Sequence, residues 1–159
     1  MNAHVSPSSL PSRPSLSGSP YLAYRNDELY LEEVCLNDLA QNYGTPLFVY
    51  SKAHMLHALA AYQRGFAGRN AQICYAMKAN SSLGVLQVFA QAGCGFDIVS
   101  GGELQRVLAA GGDPAKVIFS GVGKTPAEMR QAMHAGIGCF NVESVAELEV
   151  LNAVALDMG

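Results

Sequence analysis

The sequence has few features that would suit a nucleic acid, a membrane or a structural metal as a partner. Its 159 residues include ten Lys and Arg against thirteen Asp and Glu, a formal net charge of −3, and the basic residues form no cluster. This balance argues against nucleic acid and anionic membrane surfaces. No apolar run approaches the roughly 20 residues that cross a bilayer. The first twenty residues also lack the apolar core of about 7–15 residues that a secretory signal needs.

Cysteine is also scarce, and its spacing predicts neither a disulfide framework nor a zinc site. There is no C-x-x-C pair, and no pair of histidines completes a zinc pattern. Three of the four cysteines lie in or beside predicted buried strands, where this side chain acts as a small hydrophobe. We therefore expect a reduced, cytoplasmic protein without a structural metal. His54 and His57, three residues apart on a predicted helix, are interpreted as solvated.

Three regions are predicted along the chain. Residues 1–20, rich in Ser and Pro, are predicted to be a disordered tail. Residues 21–46 predict a β-hairpin around a polar turn, followed by a short helix that ends at Gly44. Residues 47–159 begin with a predicted strand at 47–50 and a helix from Ser51 to about Phe66.

Four strand–helix units then follow at a spacing of about 22 residues. Their strands are predicted at 73–77, 96–99, 117–119 and 139–142. Such alternation predicts right-handed βαβ units and a parallel sheet. The segment Phe96–Leu104 is similar to the segment Phe140–Leu148, which favours a regular barrel over an irregular open sheet. A complete (β/α)₈ barrel needs about 250 residues, so the prediction is an α/β fold that forms the N-terminal half of such a barrel.

Lys78 is the leading candidate for chemistry, because it ends the apolar segment Ile73–Met77 and the chain has only four lysines. Active sites of βα barrels lie at the C-terminal ends of the strands. Removal from water at such a position favours the neutral amine, which can form an imine with a carbonyl cofactor such as pyridoxal phosphate. From spacing alone, the alternative is a lysine that extends into solvent.

Asp97 interrupts the next apolar strand, and a carboxylate in that position needs a partner. A lysine imine or its bound substrate could provide one, and so could a backbone hydrogen bond in the following loop. The sequence leaves both interpretations open.

Three helix starts predict capping boxes, in which Ser or Thr precedes Glu by three residues. They begin at Ser100, Thr125 and Ser144. Capping accounts for Ser100 and Glu103, and any further role of these two residues stays open.

The segment Gly121–Thr125 is similar to part of a phosphate loop, but Ile118 stands where that motif requires glycine. We therefore exclude nucleotide binding there. Lys124 is interpreted as a surface residue of the turn, with a ligand contact as the alternative.

Five segments, taken in order, resemble a known family of enzymes. They are Tyr43–Ser51, Tyr75–Asn80, Gly95–Leu104, Phe119–Thr125 and Phe140–Ser144. Over residues 22–159 the chain resembles the diaminopimelate decarboxylases, fold-type III pyridoxal-phosphate enzymes with an alanine racemase-like barrel. Ornithine and arginine decarboxylases share the lysine and the aspartate but usually have Asp-Cys-Ala-Ser where this chain has Asp-Ile-Val-Ser at 97–100.

The resemblance implies that Lys78 forms the imine with pyridoxal 5'-phosphate and that Ala76 and Asp97 lie around the cofactor. It implies decarboxylation of meso-2,6-diaminopimelate to L-lysine and CO₂, the last step of lysine biosynthesis, in an enzyme that is a homodimer. The family continues with further barrel strands and a β domain, which residues 21–46 would join. We therefore expect the 159-residue chain to be inactive by itself. The alternatives are an ornithine- or arginine-type decarboxylase, or a non-enzymatic pyridoxal-phosphate-binding barrel.

Overall fold

The computed structural model of the chain describes residues 20–159, which belong to two units that meet between Met55 and Leu56. The tail predicted at 1–20 lies, apart from Pro20, outside the described residues. None of the described helices has the length and apolar character needed to cross a bilayer. Residues 20–159 also contain no group of three His, Cys, Asp or Glu side chains arranged to hold a metal ion.

The first unit contains a small antiparallel sheet and a short helix. Its elements are β1 (Leu22–Arg25), β2 (Glu28–Leu31), β3 (Val34–Cys35) and α1 (Leu36–Tyr43). Asn26 and Asp27 join β1 to β2 with φ values of 48° and 66°, a conformation that Asn and Asp tolerate in two-residue hairpin turns. The predicted hairpin is therefore present, and β3 adds a third strand too short to give a sequence pattern.

The predicted strand at 47–50 is wrong. These residues form no strand, and Phe48 is 87% exposed. A strand needs a hydrogen-bonded neighbour, and none of the described strands pairs with this segment. The helix that follows, α2 (Lys52–Gly65), does begin where predicted.

Glu32 and Ser51 fix the start of α2. Ser51 Oγ accepts a hydrogen bond from His54 N at 2.9 Å. Glu32 Oε1 accepts bonds from Ser51 Oγ at 2.6 Å and from Ala53 N at 2.9 Å. These two hydrogen bonds hold the pKa of Glu32 below its usual value, and the bond from Ser51 has the larger effect. A carboxylate from the turn between β2 and β3 therefore caps this helix.

The second unit contains the four predicted strand–helix pairs. Its elements are β4 (Cys74–Ala76), α3 (Leu83–Gln91), β5 (Gly95–Ile98), α4 (Gly101–Ala109), β6 (Val117–Phe119), α5 (Pro126–Ala135), β7 (Cys139–Phe140) and α6 (Val145–Met158). The strands are all parallel and lie in the order β4-β5-β6-β7. Each strand therefore pairs with the next one along the chain, as in one arc of a βα barrel.

The two faces of this sheet differ in character. Phe96, Ile98, Val117 and Phe119 are fully buried, and the Phe119 and Phe140 rings stack at 5.8 Å. Burying each such side chain contributes about 1.5–3 kcal/mol. Because side chains alternate along a strand, the opposite face carries the intervening residues. We call that second side the open face; at its C-terminal edge lie Ala76, Asp97, Ser120 and Asn141.

Carboxylates at the starts of helices connect neighbouring strand–helix pairs of the second unit. Thr125 and Glu128 form a complete capping box, and Glu128 Oε1 also accepts a bond from Gly101 N at 2.9 Å, at the start of α4. These hydrogen bonds lower the pKa of Glu128, and the bond from Gly101 N has the largest effect. Glu143 Oε1, just before α6, accepts from Gly121 N at 3.2 Å in the loop that follows β6.

The other two predicted capping boxes are only half formed. The Ser100 and Ser144 hydroxyls do cap their helices. Glu103, however, accepts from Val99 N at 2.7 Å and not from the cap residue itself. Glu147 Oε2 likewise accepts from Glu143 N at 3.4 Å, while its Oε1 contacts Lys124.

We predict that Glu128→Ala lowers the free energy of unfolding by about 1 kcal/mol at pH 7, the usual value of a helix cap. The folded-state pKa of Glu128 is lowered, so this contribution is complete above the unfolded value of about 4.3 and is lost as pH falls through the folded value. Urea unfolding at several pH values measures the difference. Glu149→Ala, on the exposed surface of α6, is the matched control. A loss that persists unchanged at pH 2 would contradict this origin.

Strands β4 and β7 each have one neighbour only within the described sheet. Unpaired edges recruit further strands. We therefore expect the purified chain to self-associate or to be poorly soluble. Size-exclusion chromatography with light scattering measures this, and a monomer that stays monodisperse at high concentration would contradict it.

Candidate active site

Lys78 lies on a single 3₁₀ turn, Met77–Ala79, that directly follows β4. Met77 takes the buried position of this turn and is fully enclosed, whereas Lys78 is exposed. The dry surroundings expected at the end of a buried strand are therefore not found in this chain. The physical reason is that the strand ends at Ala76, and the turn directs the next buried side chain inward one residue before the lysine.

The backbone around Lys78 is nevertheless fixed by its neighbours. Tyr75 Oη donates to the carbonyl of Asn80 at 3.2 Å, and the Asn80 side chain accepts from Ser82 N at 2.9 Å. From α4, Arg106 Nη1 donates to the carbonyl of Ser81 at 3.2 Å. Lys78 is thus an exposed amine on a turn whose backbone is held by hydrogen bonds from its neighbours.

Ala76 and Asp97 are direct register partners on β4 and β5. Asp97 is partly buried, and its Oδ1 accepts a short hydrogen bond from Ser120 Oγ at 2.6 Å. The carboxylate therefore bonds a side chain that directly follows the next strand, β6. Neither interpretation of the sequence proposed this partner. No ion pair of the described residues includes Asp97, so its charge is hydrogen-bonded but not neutralised.

Ser120 and Asn141 extend this contact into a polar row across three strands. Asn141 Nδ2 donates to Ser120 Oγ at 3.1 Å. Sequence reasoning did not single out Ser120, although its place directly after β6, two residues beyond Ile118, put it on the open face. The alternation of side chains was the signal that could have found it.

Lys124 is buried, and its prediction as a surface residue is wrong. Its side chain is 0% exposed, and its Nζ donates to the carbonyls of Gly121 at 2.5 Å and Asn141 at 2.8 Å. The third N–H of the ammonium group is on the side of Glu147 Oε1, which lies 2.7 Å from Nζ. That contact lacks the angular geometry of a hydrogen bond, so it acts as an ion pair. With all three directions used, Lys124 has no donor left for a ligand.

We predict that Lys124→Met lowers the free energy of unfolding by about 3–5 kcal/mol, because Glu147 is left buried without its counter-charge. The double variant Lys124→Met, Glu147→Met should recover much of this loss, because no unpaired charge remains. Chemical denaturation measures both. Lys116→Met, which removes an exposed bond to the Gly93 carbonyl, is the control. A double variant less stable than Lys124→Met would argue against the ion pair as the cause.

The residues at the C-terminal edge of the open face fit a pyridoxal group. Lys78 provides an accessible amine, and Ala76 has only a methyl group to occupy the space beside it. Asp97 provides a carboxylate whose charge no described cation compensates. A group that carries positive charge near the lysine nitrogen would complete these contacts.

A parallel βα sheet with a lysine and an aspartate at the C-terminal ends of adjacent strands has the layout of a βα-barrel active site. Residues 52–158 match the family model described as "Pyridoxal-dependent decarboxylase, pyridoxal binding domain". The chain belongs to this family. This match confirms the pyridoxal-phosphate cofactor. Relatives and solved structures confirm the resemblance to the diaminopimelate decarboxylases and the barrel fold class.

Individual relatives are similar over most of the chain. A diaminopimelate decarboxylase of Pseudomonas aeruginosa is 57% identical over 137 residues, which are 86% of this chain and 33% of the relative. That of Vibrio cholerae is 56% identical, covering 87% of this chain and 34% of the relative. The crystal structure of the diaminopimelate decarboxylase from M. jannaschii in complex with L-lysine has a TM-score of 0.84 at 31% identity, and the match covers 88% of this chain and 34% of that one. This chain therefore spans about a third of the length of the relatives it matches.

Proposed function

We propose that this chain provides the pyridoxal-phosphate-binding part of a diaminopimelate decarboxylase, which converts meso-2,6-diaminopimelate to L-lysine and CO₂. The observation that carries the proposal is the placement of Lys78 directly after the strand whose last residue is paired with Asp97. The high identity to diaminopimelate decarboxylases supports this substrate over ornithine or arginine. The family match favours an enzyme over a non-enzymatic pyridoxal carrier.

Each proposed site residue has a distinct role. Lys78 would hold the cofactor covalently through Nζ, and its braced turn would keep the backbone in place while the exposed side chain moves. Asp97 would face the positive charge of the bound group, since its Oδ1 is held by Ser120 and its Oδ2 makes no hydrogen bond within residues 20–159. Ala76 would leave room beside them. When bound, pyridoxal phosphate supplies an electron sink for the pair of electrons left behind as CO₂ departs.

The whole enzyme is proposed to be a homodimer in the cytoplasm, and the 159-residue chain by itself to have little or no activity. The open face supports the second part of this proposal. Asn141 is exposed and Asp97 is only partly buried, so water reaches the place where the reaction would occur.

We predict that pyridoxal phosphate, trapped on the chain with borohydride, labels Lys78 in preference to Lys52, Lys116 and Lys124. Peptide mass spectrometry locates the label. Lys52 and Lys116 report the reactivity of ordinary amines, and Lys124 that of an enclosed one. The variant Lys78→Arg should lose the preferred label and leave labelling of the other lysines unchanged.

The same preparation tests the activity of the chain. Incubation with diaminopimelate and pyridoxal phosphate should release CO₂ no faster than the Lys78→Arg variant does. Label spread evenly over the lysines would overturn the assignment of Lys78. Rapid release of CO₂ by the 159-residue chain would overturn the view that it is incomplete as a catalyst.

A further inference from the structure

Asp97, Ser120 and Asn141 form a row of hydrogen bonds with a defined direction. Asn141 Oδ1 faces the Cys139 thiol at 3.8 Å, which places its amide nitrogen, a donor, at Ser120 Oγ. A hydroxyl has one proton to donate. Because Ser120 accepts from Asn141, that proton is directed to Asp97 Oδ1, at the short distance of 2.6 Å.

Lys124 fixes the backbone that carries this row. Its Nζ bonds the carbonyl of Gly121, the residue after Ser120, and the carbonyl of Asn141. The amides of Ser120 and Asn141 make the last bonds of the sheet ladder, to the carbonyls of Ile98 at 2.8 Å and Phe119 at 2.9 Å. Lys124 holds the carbonyls that come directly after these bonds. Burying an ammonium and the Glu147 carboxylate costs several kcal/mol per ion before they attract each other. The pair therefore serves to fix a particular geometry at the ends of β6 and β7.

We propose that Ser120 and Asn141 are positioning residues for the decarboxylase, which hold the Asp97 carboxylate so that Oδ2 is available to the cofactor, with Lys124 as their buried anchor. The inference rests on the proposed function, since it matters only if Asp97 faces the cofactor. A carboxylate fixed in advance loses no rotamer freedom when the cofactor binds, and a hydrogen bond to a charged group is among the stronger ones.

Two measurements on the 159-residue chain test the proposal. The first is the side-chain conformation of Asp97 without cofactor, from NMR couplings in isotopically labelled protein. The wild-type chain should show one rotamer, and Ser120→Ala and Asn141→Ala should show averaging. Ser144→Ala removes a hydroxyl that caps α6 and has no contact with Asp97, so it controls for loss of stability. Asn152→Ala, at an exposed position of α6, controls for loss of an amide.

The second measurement is the pyridoxal-phosphate concentration that half-saturates Lys78 in borohydride trapping. We expect Ser120→Ala to raise it about tenfold and Asn141→Ala to raise it severalfold, as the loss of one charge-assisted hydrogen bond implies. Ser120→Thr, which keeps the hydroxyl, should restore wild-type behaviour. The two control variants should leave this half-saturating concentration unchanged even where they lower stability. If Ser120 acted only through stability, a control variant that is equally destabilised would raise the concentration as much as Ser120→Ala does.

The outcomes separate this inference from the function on which it rests. If wild-type protein labels Lys78 and Ser120→Ala labels it equally well, or if Asp97 keeps one rotamer in Ser120→Ala, the positioning role is wrong and the proposed function stands. If wild-type protein does not label Lys78 in preference to the other lysines, the proposed function fails and the positioning role fails with it.

Discussion

The register of the parallel sheet is the constraint on which the candidate site depends. Ala76 is paired with Asp97, Asp97 with Ile118, and Ile118 with Cys139. Because successive side chains point to opposite faces, a slip of one residue in β5 would move Asp97 to the helix-covered face and expose Phe96. The dry packing of Phe96, Ile98 and Phe119 therefore holds the register, and the register brings Asp97 and Ser120 together.

Two lysines at this edge of the sheet have opposite environments. Lys78 has an exposed side chain on a turn held by hydrogen bonds, whereas Lys124 is enclosed, with two hydrogen bonds and an ion pair. The enclosed amine has no capacity left for a ligand, and the exposed one does. Burial alone is therefore a poor guide to which lysine performs chemistry, because a buried ammonium with two hydrogen bonds and a paired carboxylate is part of the structure.

Much of the fold could be predicted from the sequence, because local patterns determine it. The spacing of apolar segments gave the four strand–helix units, and Ser and Thr at helix starts gave the caps. The contacts across strands could not be predicted in this way. Glu147 has the spacing of a capping residue and does bond the chain at the start of α6, but its ion pair with Lys124 could not be predicted from that spacing. Ser120 showed no local motif and was found only through its neighbours on adjacent strands. Residues 47–50 have the pattern of a strand but no partner strand among the described residues. The local sequence does not show whether a partner strand is present.

The link from Glu128 to Gly101 has a consequence for how an activity profile of this protein should be interpreted. The carboxylate joins the start of α5 to the start of α4, at the edge of the sheet where Asp97 and Ser120 lie. Acid that protonates Glu128 would release both helix starts while leaving the buried sheet intact. A loss of activity at pH values below the usual pKa of a glutamate would then include this loosening of the scaffold, in addition to protonation of groups that contact the substrate.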